Sequence, residues 1–271
     1  MFSINLLGHP SIAREGEKIH ISRRKSRALV FYLAAHQEPL SREHLLEVFW
    51  PDLPRVSALQ TLRTTLYSIR SVMGDALNSD GPLLALHKQV MIDVVELKDA
   101  IEKAGDDPNE LEQALSLYTG EFMQGFFLPE SMAFEDWLTL EREHYRQLVL
   151  HGYARLTELY KARQEYKPAI KSLDRALEIQ PLQEDLQRER ILLYHVSGDR
   201  PGAIQRYHEL RRLLDEEMGI PPMAETRALY DDILAEKLTT GQGSLAVRAA
   251  ATSRPPKKDP EKLPFVGREQ E

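Results

Sequence analysis

Alternating apolar and polar residues open the chain and predict the strands of a small β-sheet. Every second residue is apolar in two short runs, at Phe2, Ile4 and Leu6 and again at Ile19 and Ile21. A Gly-His-Pro segment at 8–10 separates the runs, because these residue types favour turns. Two short strands are therefore expected before the first helix.

Two helical segments follow, and each begins at a serine that can cap it. The first is expected from Ser22 to about His36, and its broad apolar surface indicates a central helix. The second begins at Ser41 and ends before Pro51, because proline cannot continue a helix.

The third helix, expected from about Val56 to Met73, carries the most information. Its apolar stripe has spacings of three and four residues and consists of Leu59, Leu62, Leu66, Ile69 and Met73. The opposite arc carries side chains that hydrogen-bond base edges and phosphates, namely Gln60, Arg63, Thr64, Tyr67, Ser68, Arg70 and Ser71. No acid lies between Arg55 and Asp75 to repel phosphate. Arg63 and Arg70 are the strongest individual candidates, and an intramolecular acid is the alternative partner for Arg70.

A last alternating stretch predicts a β-hairpin over residues 83–97. Its apolar positions share one parity, at Leu84, Leu86, Val90, Ile92 and Val94. Lys88 would lie near the tip and is the only Lys or Arg of the stretch. Strands, three helices and a hairpin in this order predict a winged helix-turn-helix, whose last helix can enter the major groove of DNA.

A basic cluster at the start of the first helix is a second candidate DNA contact. It consists of Arg23, Arg24, Lys25 and Arg27. Cations at a helix N-terminus are unfavourable because they oppose the helix dipole, so their presence indicates a functional role. Phosphate contact is one such role, and a solvated charge run is the alternative.

From Asp99 onward the pattern is helical and repeats every 34 residues. Similar residues recur at that distance, at Tyr160 and Tyr194, Ala169 and Ala203, and Leu173 and Tyr207. This period is typical of tetratricopeptide helix pairs, which stack and expose a groove for a partner. Residues 239–264 are rich in Gly, Ser, Thr, Pro and Lys and are expected to be a flexible linker.

Charge and composition narrow the classes of function. The chain of 271 residues has a net charge of -7, but residues 22–74 carry eight basic and four acidic residues. An acidic whole therefore leaves room for one basic face. The absence of cysteine excludes disulfides and thiolate chemistry, and no apolar run reaches the roughly 20 residues of a membrane helix. A cytoplasmic protein without a membrane partner is expected.

Catalytic motifs are missing as well. The sequence contains no G-x-S-x-G, no phosphate-binding G-x-x-x-x-G-K-[ST] and no H-E-x-x-H. We therefore expect no enzyme activity, no cofactor and no metal in this chain.

Over about residues 1–238 the chain resembles the Streptomyces antibiotic regulatory proteins. The DNA-binding half is similar at LLG (6–8), RALVFYLAAH (27–36), LSREHLLEVFWPD (40–52) and LYSIRSVMG (66–74). The middle resembles their bacterial transcriptional activator domain at ALSLYTGEF (114–122), ALEIQPLQED (176–185) and GDRPGAIQRYHELRRLLDEEMGIPP (198–222). The tail FVGRE (265–269) resembles the entry to a signal-transduction ATPase domain.

The resemblance implies a mainly α fold: an OmpR-type winged helix-turn-helix (α+β) followed by a tetratricopeptide-like α-helical domain. The expected domains are 1–97 for DNA binding, 98–238 for activation, and 239–271 for a linker and the start of an ATPase domain. The implied partners are promoter DNA, RNA polymerase, the protein's own C-terminal ATPase domain and a second copy on direct repeats. The residues expected to contact DNA are Arg23, Arg24, Lys25, Arg27, Gln60, Arg63, Thr64, Tyr67, Arg70, Ser71 and Lys88. One departure is that family members usually carry Gly-Tyr in the final hairpin, where this chain has HKQVM at 87–91.

Two other functions fit the same residues. The winged helix could dock a protein, which would make the chain an interaction scaffold without DNA binding. The chain could also be the effector module of a nucleotide-dependent switch. Salt dependence separates DNA binding from docking, because phosphate contacts release counterions.

Overall fold

The computed structural model describes residues 1–36, 38–78 and 81–237. The linker expected at 239–264 and the segment at 265–269 lie outside the described residues. The strands are β1 (Phe2–Asn5), β2 (Ser11–Arg14), β3 (Glu17–Ile19), β4 (Leu40–Ser41), β5 (Leu77–Asn78), β6 (Leu83–Leu86) and β7 (Met91–Ile92). The helices are α1 (Arg24–Ala35), α2 (Arg42–Phe49), α3 (Arg55–Met73), α4 (Asp93–Lys103), α5 (Pro108–Leu115), α6 (Met132–Ala162), α7 (Tyr166–Ile179), α8 (Glu184–Val196), α9 (Arg200–Met218) and α10 (Ala224–Leu234).

The N-terminal sheet has four strands in the order β3-β2-β1-β7. Strands β1 and β2 are antiparallel, with Ile4 opposite Ile12, and β7 joins β1 in parallel, with Ile4 also opposite Ile92. The second expected strand was partly wrong: β3 ends at Ile19, and Ile21 is buried outside any strand. Strand β2 was not expected from the sequence, because Ile12 is its one large apolar residue and the alternation is therefore weak.

The three helices of the winged helix lie where the periodicity predicts them, with one difference at a cap. Ser41 caps α2, since its side chain accepts a hydrogen bond from the His44 N–H. Ser22 does not cap α1: the N-cap position is Arg23, which makes no side-chain cap bond. The stripe of α3 is buried at Leu62, Leu66, Ile69 and Met73, with Leu59 half-buried.

The hairpin expected over 83–97 is wrong. Strand β6 pairs instead with β5 and β4, in the order β4-β6-β5, so the wing is the β5–β6 hairpin. After β6 the chain turns into β7, and Asp93 begins α4. The misleading alternation has a physical origin, because its last apolar residue, Val94, is buried as part of α4 and not as part of a strand.

The helical part keeps the 34-residue period in its helix boundaries. Helix α6 ends at residue 162 and α8 at 196, while α7 begins at 166 and α9 at 200. Ala169 and Ala203 occupy the same place in the first turns of α7 and α9, and both are fully buried. The small side chains allow the two helices of each pair to approach closely.

The winged helix and the helical part are joined by backbone pairing as well as by side chains. Residues 119–124 run beside 6–9: the Met123 N–H donates to the Leu6 carbonyl at 2.6 Å, and the Gly8 N–H donates to Glu121 at 2.9 Å. Arg142 of α6 donates to the carbonyls of Phe122, Met123 and Phe126. These bonds hold the segment before α6 against the first sheet.

Asp93 provides a further connection at the expected domain boundary. Its carboxylate accepts from the backbone N–H groups of Leu6, Leu7 and Val94, each at 2.8 Å or 2.9 Å. It thereby joins the end of β1 to the start of α4. Helix α4 itself runs through residues 97 and 98.

Candidate nucleic-acid interface

The outer face of α3 exposes six of the seven side chains that the sequence singles out there, and the seventh, Ser68, is half-buried. The exposed residues of this face are Gln60, Arg63, Thr64, Tyr67, Arg70 and Ser71. Tyr67 has 77% of its surface exposed. Arg63 and Arg70 lie two helical turns apart, about 10 Å along the axis. The structure therefore brings these six residues onto one exposed side of a helix that carries no acidic residue, and we call this side the α3 face.

Two of the hydroxyls on the α3 face already have partners within the helix. Thr64 Oγ1 donates to the Gln60 carbonyl at 3.1 Å, and Ser71 Oγ donates to the Ser68 carbonyl at 2.8 Å. A phosphate oxygen can only accept, so each hydroxyl would have to rotate to reach one. The Arg63 guanidinium has no hydrogen bond or ion pair within the described residues.

The start of α3 is fixed to α2 by an exposed ion pair. Arg55 Nη2 and Glu43 Oε1 lie 2.5 Å apart, and Arg55 Nε also donates to Glu43 Oε2 at 3.3 Å. This pairing lowers the pKa of the Glu43 carboxyl and raises that of Arg55, mainly through their side-chain hydrogen bond. It orients the first turn of α3 relative to α2.

The basic cluster of α1 does not form a single surface. Lys25 Nζ donates to the Phe49 carbonyl at the end of α2, at 2.9 Å, and lies 5.6 Å from the centre of the Trp50 ring. Desolvation lowers the pKa of Lys25. The Arg24 guanidinium lies 4.4 Å from the centre of the Phe127 ring. These two cations hold α1 against α2 and the segment before α6.

The other members of the cluster differ in burial. Arg23 is exposed, while Arg27 is half-buried. Arg27 Nε is buried and has no hydrogen-bond partner within the described residues. Arg23 is therefore the member of this cluster that is exposed and makes neither a ring contact like that of Arg24 nor a carbonyl contact like that of Lys25.

Lys88 lies away from the hairpin tip at which the sequence placed it. It is exposed in the turn between β6 and β7, where the His87 N–H donates to the Ala76 carbonyl at 2.8 Å. The tip of the actual wing includes Gly81 and Pro82. If Lys88 contacts DNA, as the sequence predicts, it does so from the β6–β7 turn and not from the tip of the wing.

Arg42 is a residue of this region that sequence reasoning missed. Its Nε donates to the Gly81 carbonyl at 3.3 Å, and its backbone N–H donates to the Pro82 carbonyl at 3.3 Å. Arg42 thus links the first turn of α2 to the tip of the wing. The sequence shows Arg42 only as the residue after the cap Ser41, and it gives no sign of the contact with the wing.

Two negative findings apply to residues 1–36, 38–78 and 81–237. No three or more His, Asp or Glu side chains come together as a metal site. None of the helices there has the length and apolarity needed to cross a membrane.

The helical part of the chain places the protein in a family of transcriptional regulators. The model of the bacterial transcriptional activator domain matches residues 95–234. The chain belongs to this family, and together with its N-terminal winged helix it is a transcriptional activator of the Streptomyces antibiotic regulatory protein type.

Individual relatives agree with the assignment. The transcriptional regulatory protein MoaR1 of Mycobacterium tuberculosis is 26% identical over 253 residues, covering 86% of this chain and 79% of MoaR1. The regulatory protein AfsR of Streptomyces coelicolor is 26% identical over 285 residues, covering 97% of this chain and 27% of AfsR. Among solved structures, Mycobacterium tuberculosis EmbR in complex with a low-affinity phosphopeptide has a TM-score of 0.63 at 20% identity, covering 93% of this chain and 68% of that one. At that identity the likeness concerns the fold alone.

Proposed function

We propose that this regulator binds double-stranded promoter DNA sequence-specifically, with the α3 face in the major groove. The observation that carries the proposal is the continuous exposure of Gln60, Arg63 and Tyr67 on a helix without acids, while the opposite stripe is buried. Side chains of these types hydrogen-bond base edges and phosphates. Thr64, Arg70 and Ser71 complete the surface.

Two exposed basic residues outside α3 are proposed to contact the DNA backbone. Arg23 lies in front of α1, and Lys88 lies in the turn after β6. Lysine and arginine that neutralise phosphates fix the orientation of a protein on the duplex without reading sequence. Arg24, Lys25 and Arg27 are proposed as further phosphate contacts, and Arg24 and Lys25 also make the packing contacts described above.

The helical module is proposed to contact RNA polymerase. Support comes from the family to which residues 95–234 belong and from the groove that stacked helix pairs expose. We further propose that two copies bind direct repeats and that an ATPase domain follows this segment.

Arg63 gives the sharpest test of the DNA-binding site. The 271-residue chain and its Arg63→Gln variant would be titrated with fragments of the upstream regions of neighbouring genes, in the presence of random-sequence competitor and at several salt concentrations. If Arg63 contacts guanine, the variant should lose about 1–3 kcal/mol of discrimination at one base pair. If it contacts phosphate, affinity should fall for all sequences and the salt slope should decrease by about 1.

A matched control is Arg163→Gln. Arg163 is an exposed arginine at the end of α6, so this variant removes the same charge from the helical module. It should bind DNA as the wild type does. Unchanged affinity for Arg63→Gln, Arg70→Gln and the double variant would refute the assignment of the α3 face. Salt-independent or absent DNA binding by the folded chain would favour the scaffold instead.

A further inference from the structure

The first turn of α3 carries an apolar side chain that the fold does not use. Val56 has 82% of its surface exposed, more than any other large apolar residue within the described part of the chain. Tyr67, at 77%, is second. The two lie eleven residues apart, which is about three helical turns, so both belong to the same side of the helix.

The residues around Val56 show that it lies on the exposed side of α3, opposite the buried side. Ala58, two residues further on, is buried, and Leu62 is fully buried in the same core. Arg55, one residue earlier, forms an ion pair with Glu43. Gln60 continues the exposed face one turn after Val56. Val56 thus extends the α3 face at its N-terminal end, and the N-terminal residues of a recognition helix are those that contact base edges.

The chemistry of valine limits what it can recognise there. Valine has no hydrogen-bonding group in its side chain, whereas the edges of A, G and C in the major groove present donors and acceptors. Thymine alone among the four bases adds a methyl group, at C5. We infer that Val56 is a specificity-determining residue that contacts the 5-methyl group of one thymine in the operator. This inference rests on the proposed function.

Other exposed apolar residues do not fit this role as well. Tyr67 carries a hydroxyl, so its contact with DNA would not be restricted to a methyl group. Met132 and Leu140 are 75% and 71% exposed, but both lie on α6 of the helical module, and Asp136 lies between them on the same exposed side. Among these residues, Val56 is the one that combines a purely apolar side chain with a position on a helix that carries no acidic residue.

The test uses deoxyuridine, which lacks only the methyl group of thymine. Duplexes bound by the 271-residue chain would first be selected from a random library. In one selected duplex each thymine would then be replaced singly by deoxyuridine, and Kd measured for the wild type, Val56→Ala and a control, Leu140→Ala. Val56→Ala should not unfold the protein, because the side chain is exposed and alanine favours a helix more than valine does. A thermal unfolding curve checks this.

The expected result is specific to one position. For the wild type, deoxyuridine at one thymine of the site should raise Kd about fourfold, the effect of losing one buried methyl group. Val56→Ala should show a similar rise with the unmodified duplex and no further rise with deoxyuridine at that position. Leu140→Ala should behave as the wild type does.

Three results would overturn the inference, and they separate it from the proposed function. If Val56→Ala binds the selected duplex as tightly as the wild type does, Val56 contacts no base. If Val56→Ala keeps the full sensitivity to deoxyuridine, another residue reads the methyl group. Either result leaves DNA binding through the α3 face intact. If the folded wild type selects no sequence from the library, both the proposed function and the inference fail.

Discussion

At the scale of single residues, burial changes the acidity of Tyr32 in the last turn of α1. Its side chain is 3% exposed, and its hydroxyl lies 2.8 Å from His44 Nε2 of α2. Burial, with a smaller effect from Glu141, raises the pKa of Tyr32 to about 12. An ionised phenolate at this place would be expensive, because its charge would be desolvated.

The stability of the protein should therefore depend on Tyr32 at high pH. Because the folded pKa exceeds the unfolded value of about 10, the contribution of Tyr32 is complete below pH 10 and is lost as pH rises towards 12. Between those values the free energy of unfolding should fall by up to roughly 2 kcal/mol more in the wild type than in Tyr32→Phe. Urea unfolding of both proteins at pH 7, 10 and 11.5 measures the difference, and parallel losses in the two proteins would contradict it.

At the scale of elements, α3 ends at a glycine whose backbone conformation is rare for residues that carry a side chain. Gly74 has φ 53° and ψ -130°, a region almost restricted to glycine. A Cβ added there would meet nothing within 4 Å. Any cost of substitution therefore comes from the backbone and not from crowding. Gly219, at the end of α9, has the ordinary left-handed values of 66° and 26° and the same open surroundings.

These two helix ends should respond differently to asparagine. Asparagine adopts the left-handed conformation with little strain, so Gly219→Asn should cost less than about 1 kcal/mol. Gly74→Asn should cost about 1–3 kcal/mol and shift the start of the wing relative to α3. Denaturant midpoints of the two variants give the comparison. Equal losses would mean that the helix ends relax into similar conformations.

At the scale of the whole molecule, the winged helix and the helical part share one core. Trp137 of α6 packs edge-on against Tyr32, with ring centres 4.5 Å apart, and stacks on His36 at 5.6 Å. Phe31 and Phe126 meet at 5.4 Å, and Ser131 Oγ donates to the Val48 carbonyl. A partner that moves α6 would therefore also move α1 and α2.

Loosening this contact should destabilise both parts together. Trp137→Ala should cost about 3 kcal/mol, the lower end of the range for a large aromatic side chain, and should weaken hydrogen-exchange protection in α3 and α7 alike. Leu140→Ala, a change at an exposed position of the same helix, should leave both unchanged. Loss of protection in α7 with α3 unaffected would show that the two parts unfold separately.

The elements that local signals determine were predicted well. The helices α1, α2 and α3 lie within a few residues of their expected bounds, since helical periodicity and caps such as Ser41 involve residues close in sequence. The outer arc of α3 followed from the same periodicity, because a helix with one buried stripe must expose the opposite side. The 34-residue period of the sequence recurs in the structure, in the ends of α6 and α8 and in the starts of α7 and α9.

Pairing between distant segments was settled only by the tertiary structure. The sequence assigned β6 to a hairpin with 90–94, whereas its partners are β4 and β5, and it gave no sign that 119–124 would pair with 6–9. Likewise, the sequence does not distinguish the four cations of residues 23–27. In the structure, Lys25 binds the Phe49 carbonyl and Arg24 lies against the ring of Phe127. Strand partners and side-chain contacts depend on which surfaces fold together, and an alternating pattern specifies a buried side without naming what covers it.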